Sequence, residues 1–279
     1  MSGTLYIVAT PLGNLEDITF RAVRILKEAD LIAAEDTRHS KKLLNHYGIT
    51  TPTMACHEHN ETSKAQDLVQ RLENGSTIAL ISDAGTPLIS DPGYRLVSLA
   101  RDKGIPVVPV PGCNAAITGL SASGLPTDTF LFLGFPPRKQ GSLNTFLDNT
   151  ARHKGTLIFY ESPRRIIRLI SSAITAFGDR QACLARELTK QYEEFLRGPL
   201  SKILDTLETR ETIKGECVLF IEGDDEQSAG LSPEQMEAMI MDGLNQNMGT
   251  GELAKNIARL ANCPKAQVYD MILAVKKRS

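Results

Sequence analysis

Short, wholly apolar runs alternate with amphipathic stretches through the first 122 residues, and every run stops on a cluster of turn formers and small polar side chains. The runs are Leu5 to Ala9, Leu31 to Ala34, Ile78 to Ile81 and Pro106 to Val110. Apolar residues with no alternation fit strands buried on both faces, as in a parallel sheet. Between the runs, helical spacing is carried by Ala22, Val23, Leu26 and Ala29, with Asp17 as the expected N-cap. It returns from Ser63 to Leu72, through Leu68, Val69 and Leu72, and again from Tyr94 to Lys103, which ends at Gly104. Strand and helix in alternation, joined by right-handed crossovers, predict an α/β domain over residues 1–122 with helices on both faces of its sheet.

The strand tips are where chemistry is expected, because ligands of open α/β sheets sit beyond the carboxyl ends of the strands. Four such tips are rich in polar and turn residues: Thr10 to Asn14, Glu35 to Arg38, Asp83 to Gly93 and Pro111 to Asn114. The third is the richest, with Asp83, Gly85, Thr86, Pro87, Ser90, Asp91, Pro92 and Gly93 following the most apolar strand.

A small-residue segment, Gly119 to Pro126, reads as an interdomain linker. A second α/β domain over 127–226 is expected, with strands at Thr129 to Phe135, Thr156 to Tyr160, Cys183 to Ala185 and Cys217 to Ile221. Helices are expected at Pro163 to Phe177 and Leu200 to Leu207, and a polar, basic loop from Pro137 to Lys154. Its strand order is not legible. Residues 231–279 read as a small helical region. Ser232 and Pro233 form an N-cap and N1 pair, and Met236, Met239, Ile240 and Leu244 share a face. Two short helices around Asn262 to Pro264 then have helix-turn-helix spacing, with Leu253, Ile257 and Leu260 inward on one and Val268, Tyr269 and Ile272 on the other. Lys265, Lys276, Lys277 and Arg278 are candidate phosphate contacts there.

Composition narrows the partners. The chain has 279 residues, 42% of them apolar, enough for two domains and a small third. A net charge of -2 gives no general attraction to nucleic acid, so an RNA partner requires a local basic patch. Five scattered cysteines without CxxC spacing argue against a disulfide framework or a structural zinc site and for a reducing, cytoplasmic setting. The segment Cys56 to Glu61 (CHEHNE) has no second ligand pair nearby, which disfavours a metal. No run reaches the length of a membrane span. The first tip carries one glycine where a dinucleotide fingerprint needs three, and neither a P-loop nor a GxSxG elbow occurs.

Six motifs in order, TPLGN (Thr10 to Asn14), EDTR (Glu35 to Arg38), SDAGTPLISDPG (Ser82 to Gly93), PVPG (Pro109 to Gly112), FYESPRR (Phe159 to Arg165) and ARELTK (Ala185 to Lys190), resemble the tetrapyrrole methylase superfamily over essentially the whole chain. The resemblance implies two α/β domains with a cleft for S-adenosylmethionine between them, and a homodimer. It is nearest to the branch that methylates the ribose 2′-hydroxyl of a cytidine in the decoding region of 16S rRNA, in the small ribosomal subunit. Carried over by motif, the cofactor-binding residues are Pro11, Asp83, Gly85, Thr86, Pro87, Leu88, Ala115, Ala116, Tyr160 and Gly215. Thr86 stands where relatives have Asp, which passes the carboxylate contact to Asp83. For the base that draws off the hydroxyl proton, the strand tips offer Glu35, Asp36, Glu187 and Lys190, with Glu161 beside them. Two rival functions are methylation of a small tetrapyrrole-like substrate and non-catalytic nucleic-acid binding through the C-terminal helices.

Overall fold

The computed structural model describes residues 2–58, 60–224, 233–245, 248–261 and 265–278. The chain divides into two compact units, Met1–Glu222 and Gly223–Ser279.

The first unit contains two five-stranded sheets. Strands β1 (Leu5–Val8), β2 (Leu31–Ala34), β3 (Thr53–Ala55), β4 (Ile78–Ile81) and β5 (Val107–Val110) form a parallel sheet in the order β3-β2-β4-β1-β5. β2 and β4 are buried at all four positions, the reason their sequences carry no alternation. One face packs against α3 (Glu61–Glu73) and α4 (Tyr94–Asp102) through Leu68, Leu72, Leu96 and Ala100. The other face packs against α1 (Phe20–Glu28) and α2 (Thr37–His46) through Ile25, Leu26 and Leu44.

In the second sheet, β6 (Phe130–Gly134) lies parallel to β7 (Thr156–Glu161). β10 (Cys217–Ile221), β8 (Gln181–Arg186) and β9 (Glu194–Pro199) follow antiparallel, in the order β6-β7-β10-β8-β9. Helices α6 (Gln140–Thr150), α7 (Ile166–Phe177) and α8 (Leu200–Glu208) cover one face with Leu143, Leu147, Leu169, Ile170 and Ile203. α5 (Ala115–Ser123) covers the other, with Ala116 and Leu120 against Ile158, Val218 and Phe220.

Several expectations are corrected here. Gly119 to Ser123 is helix rather than linker: a Cβ on Gly119 would lie 2.5 Å from Phe220 Cζ. The small residues there make room for the sheet and do not interrupt the helix. The basic loop expected over 137–154 contains α6, whose Leu143 and Leu147 are buried. Thr19, and not Asp17, caps α1, its hydroxyl accepting from Ala22 N at 3.1 Å, while Asp17 belongs to a preceding 3₁₀ turn, Leu15–Asp17. β3 and β9 were not anticipated.

The second unit holds α9 (Pro233–Asn245), α10 (Thr250–Ala261) and α11 (Lys265–Arg278) around a core that includes Met236, Ile240, Leu253, Ile257, Val268 and Ile272. Tyr269, expected on the apolar face, is exposed. The Ser232 cap, the Asn262 to Pro264 turn and His59 of the CHEHNE segment lie outside the described residues, as do the side chains of Leu260, Lys277 and Arg278. Among the described residues no cluster of His, Cys, Asp and Glu could hold a metal ion, and no helix is long and apolar enough to cross a membrane.

Candidate active site

Hydrogen bonds between loops draw the tips of the parallel sheet together. Thr10 and Gly85 exchange paired backbone hydrogen bonds of 2.8 and 2.9 Å, and the Thr10 hydroxyl donates to Ser82 O at 3.1 Å. Gly85 sits at φ +82°, a left-handed conformation that glycine enters freely. Asp83 N donates to Glu35 Oε2 at 3.3 Å, and Asp36 N donates to Asp83 Oδ1 at 3.1 Å, which joins the second tip to the third. The Thr86 hydroxyl donates to Cys113 O at 2.9 Å, joining the third tip to the fourth. The far end of the third loop is held from another element: buried Glu61 on α3 accepts from Gly93 N and Arg95 N at 3.1 and 2.7 Å. That carboxylate caps α4, whose own N-cap, Gly93, has no side chain to do so. Within the loop, Leu88 and Ser90 have positive φ of 73° and 70°. Such values in non-glycine residues cost energy and gather at ligand sites.

Above these tips lies a cavity of about 360 Å³, within the range of small-ligand sites. Leu12, Glu35, Asp83 to Thr86, Ile89 to Asp91, Asn114 and Ala115 form one wall. Phe135, Tyr160 to Pro163 and Glu216 to Val218 form the other, from the second sheet. The walls meet where Ala116 N donates to the Tyr160 hydroxyl at 3.1 Å.

The lining carries five carboxylates, of Glu35, Asp83, Asp91, Glu161 and Glu216, and no Lys or Arg. Two of them have basic partners outside the lining, Glu161 accepting from Arg165 Nε at 2.8 Å and Glu216 from Lys190 Nζ at 3.2 Å. Burial raises the pKa of Asp91 to about 6, the neighbouring charges of Glu35 and Asp83 adding to it against a hydrogen bond from Ser82. Burial likewise raises Glu35, reinforced by Asp83 and Asp36. Tyr160 is raised by burial, and by the charge of Asp91. Crowded, partly desolvated carboxylates of this kind favour a cation between them.

Beside the cavity, Lys190 Nζ donates to Glu187 Oε1 at 2.9 Å and Glu216 Oε2 at 3.2 Å. Burial alone would lower the Lys190 pKa, but the hydrogen bond to Glu187 and the charge of Glu216 outweigh it, and the ammonium is kept. The Lys190 stem lies across Gly13 so closely that a Cβ there would sit 2.3 Å from Lys190 Cγ. Asn14 N donates to the Thr189 hydroxyl at 3.2 Å. The first tip is thus fastened to the second sheet.

The family model for Tetrapyrrole (Corrin/Porphyrin) Methylases matches residues 4–204. The chain belongs to the tetrapyrrole methylase family. Within it, the chain is 49% identical to the ribosomal RNA small subunit methyltransferase I of Halalkalibacterium halodurans, over 96% of this chain and 94% of that one. It is 46% identical to the protein of the same name from Haemophilus influenzae, over 98% of each. The fold is shared with uroporphyrin-III C-methyltransferase from Thermus thermophilus complexed with S-adenyl homocysteine, at a TM-score of 0.56 and 20% identity over 80% of this chain and 98% of that one. It is also shared with diphthine synthase, at 0.61 and 14% identity over 96% and 99%.

In this methylase, Glu35, Asp83, Gly85, Thr86, Ala115 and Tyr160 line the cavity. Pro11, Asp36, Ala116 and Gly215 do not, each being a sequence neighbour of a lining residue. Pro87, within the third loop, is buried, and Leu88 packs on the core of the first sheet. Glu187 and Lys190 lie in the ion-pair cluster at the side. Asp91 and Glu216 were missed as site residues. Asp91 was readable as a second carboxylate in the third tip. Glu216 was not, since it precedes its strand.

Proposed function

We propose that the protein transfers the methyl group of S-adenosylmethionine to the ribose 2′-hydroxyl of a cytidine in the decoding region of 16S rRNA. Methylation of small-subunit rRNA rests on the family and on the names of relatives matching nearly the whole chain. The 2′-oxygen and the cytidine rest on the motif resemblance. The acidic two-walled cavity carries the reading in this chain. A sulfonium and an ammonium group complement five carboxylates, and the volume suits a nucleoside-sized molecule. Asp83 and Asp91 would hold the charged and hydroxyl groups of the cofactor, with Gly85 and Thr86 shaping the loop against it. The bound cofactor supplies an already activated methyl group.

The remaining task is to place the ribose oxygen in line at about 3 Å and remove its proton. Glu35 suits the second role: it lines the cavity, and its raised pKa makes it a better base than an ordinary carboxylate. Asp36 is engaged in capping α2, accepting from Arg38 N at 2.8 Å, and Glu187 is held by Lys190 and by Glu216 N. These three residues, Asp36, Glu187 and Lys190, position the loops around the reacting groups. The enzyme works in the cytoplasm, where ribosomes assemble, as a homodimer. Exposed Phe20 and Ile117 are apolar surface that a second copy would cover.

Incubation with labelled S-adenosylmethionine and unmodified small ribosomal subunits tests this. Label on one decoding-region cytidine ribose is expected; label on a base, or only on a porphyrinoid, overturns it. Glu35→Gln should lower kcat by roughly 10²- to 10⁴-fold with a smaller change in cofactor affinity.

A further inference from the structure

We infer that the exposed face of α2 is a track for the phosphate backbone of the substrate RNA, an assignment that rests on the rRNA reading above. The helix reads TRHSKKLLNH, and its buried side is Ser40, Leu43 and Leu44. Arg38, Lys41, Lys42 and Asn45 follow at spacings of three, four and seven, which aligns them in one stripe. All four are exposed, and so are the flanking His39 and His46. No carboxylate occurs in the sequence between Asp36 and Glu58.

The stripe also differs from the cations that carboxylates neutralise. Arg24, Lys64, Lys103, Arg165, Arg186, Lys190 and Arg210 each have a carboxylate partner within 4 Å. Among the described residues, Arg38, Lys41 and Lys42 form no ion pair. In a chain of net charge -2, three adjacent uncompensated cations make the local basic patch that an RNA partner requires.

Position connects this patch to the reaction. The helix is capped by Asp36, whose N–H is bonded to Asp83, and it begins two residues after Glu35 of the cavity wall. Ten residues then carry it about 15 Å away from the rim. A nucleotide presented to five carboxylates brings its own phosphates into a repulsive field. Cations within one helix length of the cavity offset that repulsion and hold the strand in register, without reading its sequence. An acidic protein segment would satisfy the same charges, but it would have no reason to approach the methyl-transfer cavity.

The test is the double variant Lys41→Gln/Lys42→Gln in the full chain, with Lys27→Gln/Lys202→Gln as a control for net charge. Substrates are a protein-free decoding-region RNA fragment and assembled small subunits. The α2 variant should raise KM for RNA roughly tenfold or more while leaving cofactor affinity and kcat at saturating RNA near wild type. For binding of the fragment, the slope of log K against log salt should flatten by about 1.4, or 0.7 for each phosphate of a single strand that is no longer neutralised. Equal KM and slope in wild type, variant and control overturn the inference. A loss confined to assembled subunits, with fragment binding intact, also overturns it and assigns the helix to a ribosomal protein. If wild type itself methylates neither substrate, the rRNA reading fails rather than the role of α2.

Discussion

The hydroxyl of Tyr160 accepts the N–H of Ala116 at 3.1 Å, a hydrogen bond that ties the second sheet to the first turn of α5 beside the cavity. Tyr160→Phe removes the acceptor and leaves a partly buried amide unpaired, a loss of about 0.5–1.5 kcal/mol. S-adenosylmethionine should bind several-fold more weakly by calorimetry; an unchanged dissociation constant would detach this contact from the binding site.

Asp91 gives the site a pH signature. Its pKa lies near 6 in the fold against an ordinary 3.8, so ionising it costs the empty protein stability. The cost is absent below pH 3.8, grows between 3.8 and 6, and is complete above 6. Asp91→Asn should therefore stabilise the ligand-free enzyme at pH 7, by roughly 1–3 kcal/mol. A cationic ligand needs the ionised form, so cofactor affinity in wild type should climb as pH rises through about 6 and then level off. In the variant the climb should disappear; a wild-type pH dependence that persists in Asp91→Asn would point to another group.

Gly215 adopts φ +90°, and a Cβ there would lie 2.3 Å from Glu187 Cγ and 2.5 Å from Glu187 Oε1. Gly215→Ala should destabilise the enzyme by at least about 1–2 kcal/mol from the left-handed backbone alone, and should also expel Glu187 from Lys190. Adding Glu187→Ala should recover the clash component but not the backbone component. Denaturant melts of the two singles and the double would reveal strict additivity if the residues do not interact.

Glu194 accepts from Arg210 at 2.6 and 2.8 Å and from Arg186 at 3.0 Å, and these hydrogen bonds, Arg210 foremost, lower its pKa to about 2. A depressed carboxylate stabilises the fold above its ordinary value of 4.5 and loses that contribution as pH falls toward 2. Glu194→Gln should cost roughly 1–2 kcal/mol at pH 7, discounted for partial exposure. The difference from wild type should shrink in acid, and one that stays constant from pH 7 to pH 2 would refute the pairing as its source.

Much of the first sheet was legible because burial on both faces leaves a strand no polar position, as in β2 and β4. The elements that escaped did so for identifiable reasons. α5 looked like a linker because Gly119 and Ser123 are small where a helix must approach Phe220 closely. α6 hides two buried leucines among polar neighbours. β9 is an edge strand whose residues are none of them fully buried. The site divided in the same way. Tips of parallel strands announced Glu35, Asp83 and Gly85, since a strand's carboxyl end is where such sheets place ligands. β10 runs antiparallel to β7, so its beginning and not its end reaches the cavity. That reversal is why Glu216, Cys217 and Val218 went unnoticed.

Because the two walls of the cavity belong to different sheets, a molecule seated between them is also a brace. Its binding energy resists any motion that parts the lobes, at about 2.7 kcal/mol when supplied at a hundred times its dissociation constant. Saturated with its methyl donor, the enzyme would then enter the ribosomal substrate already stiffened, with the receiving groove held at a fixed width.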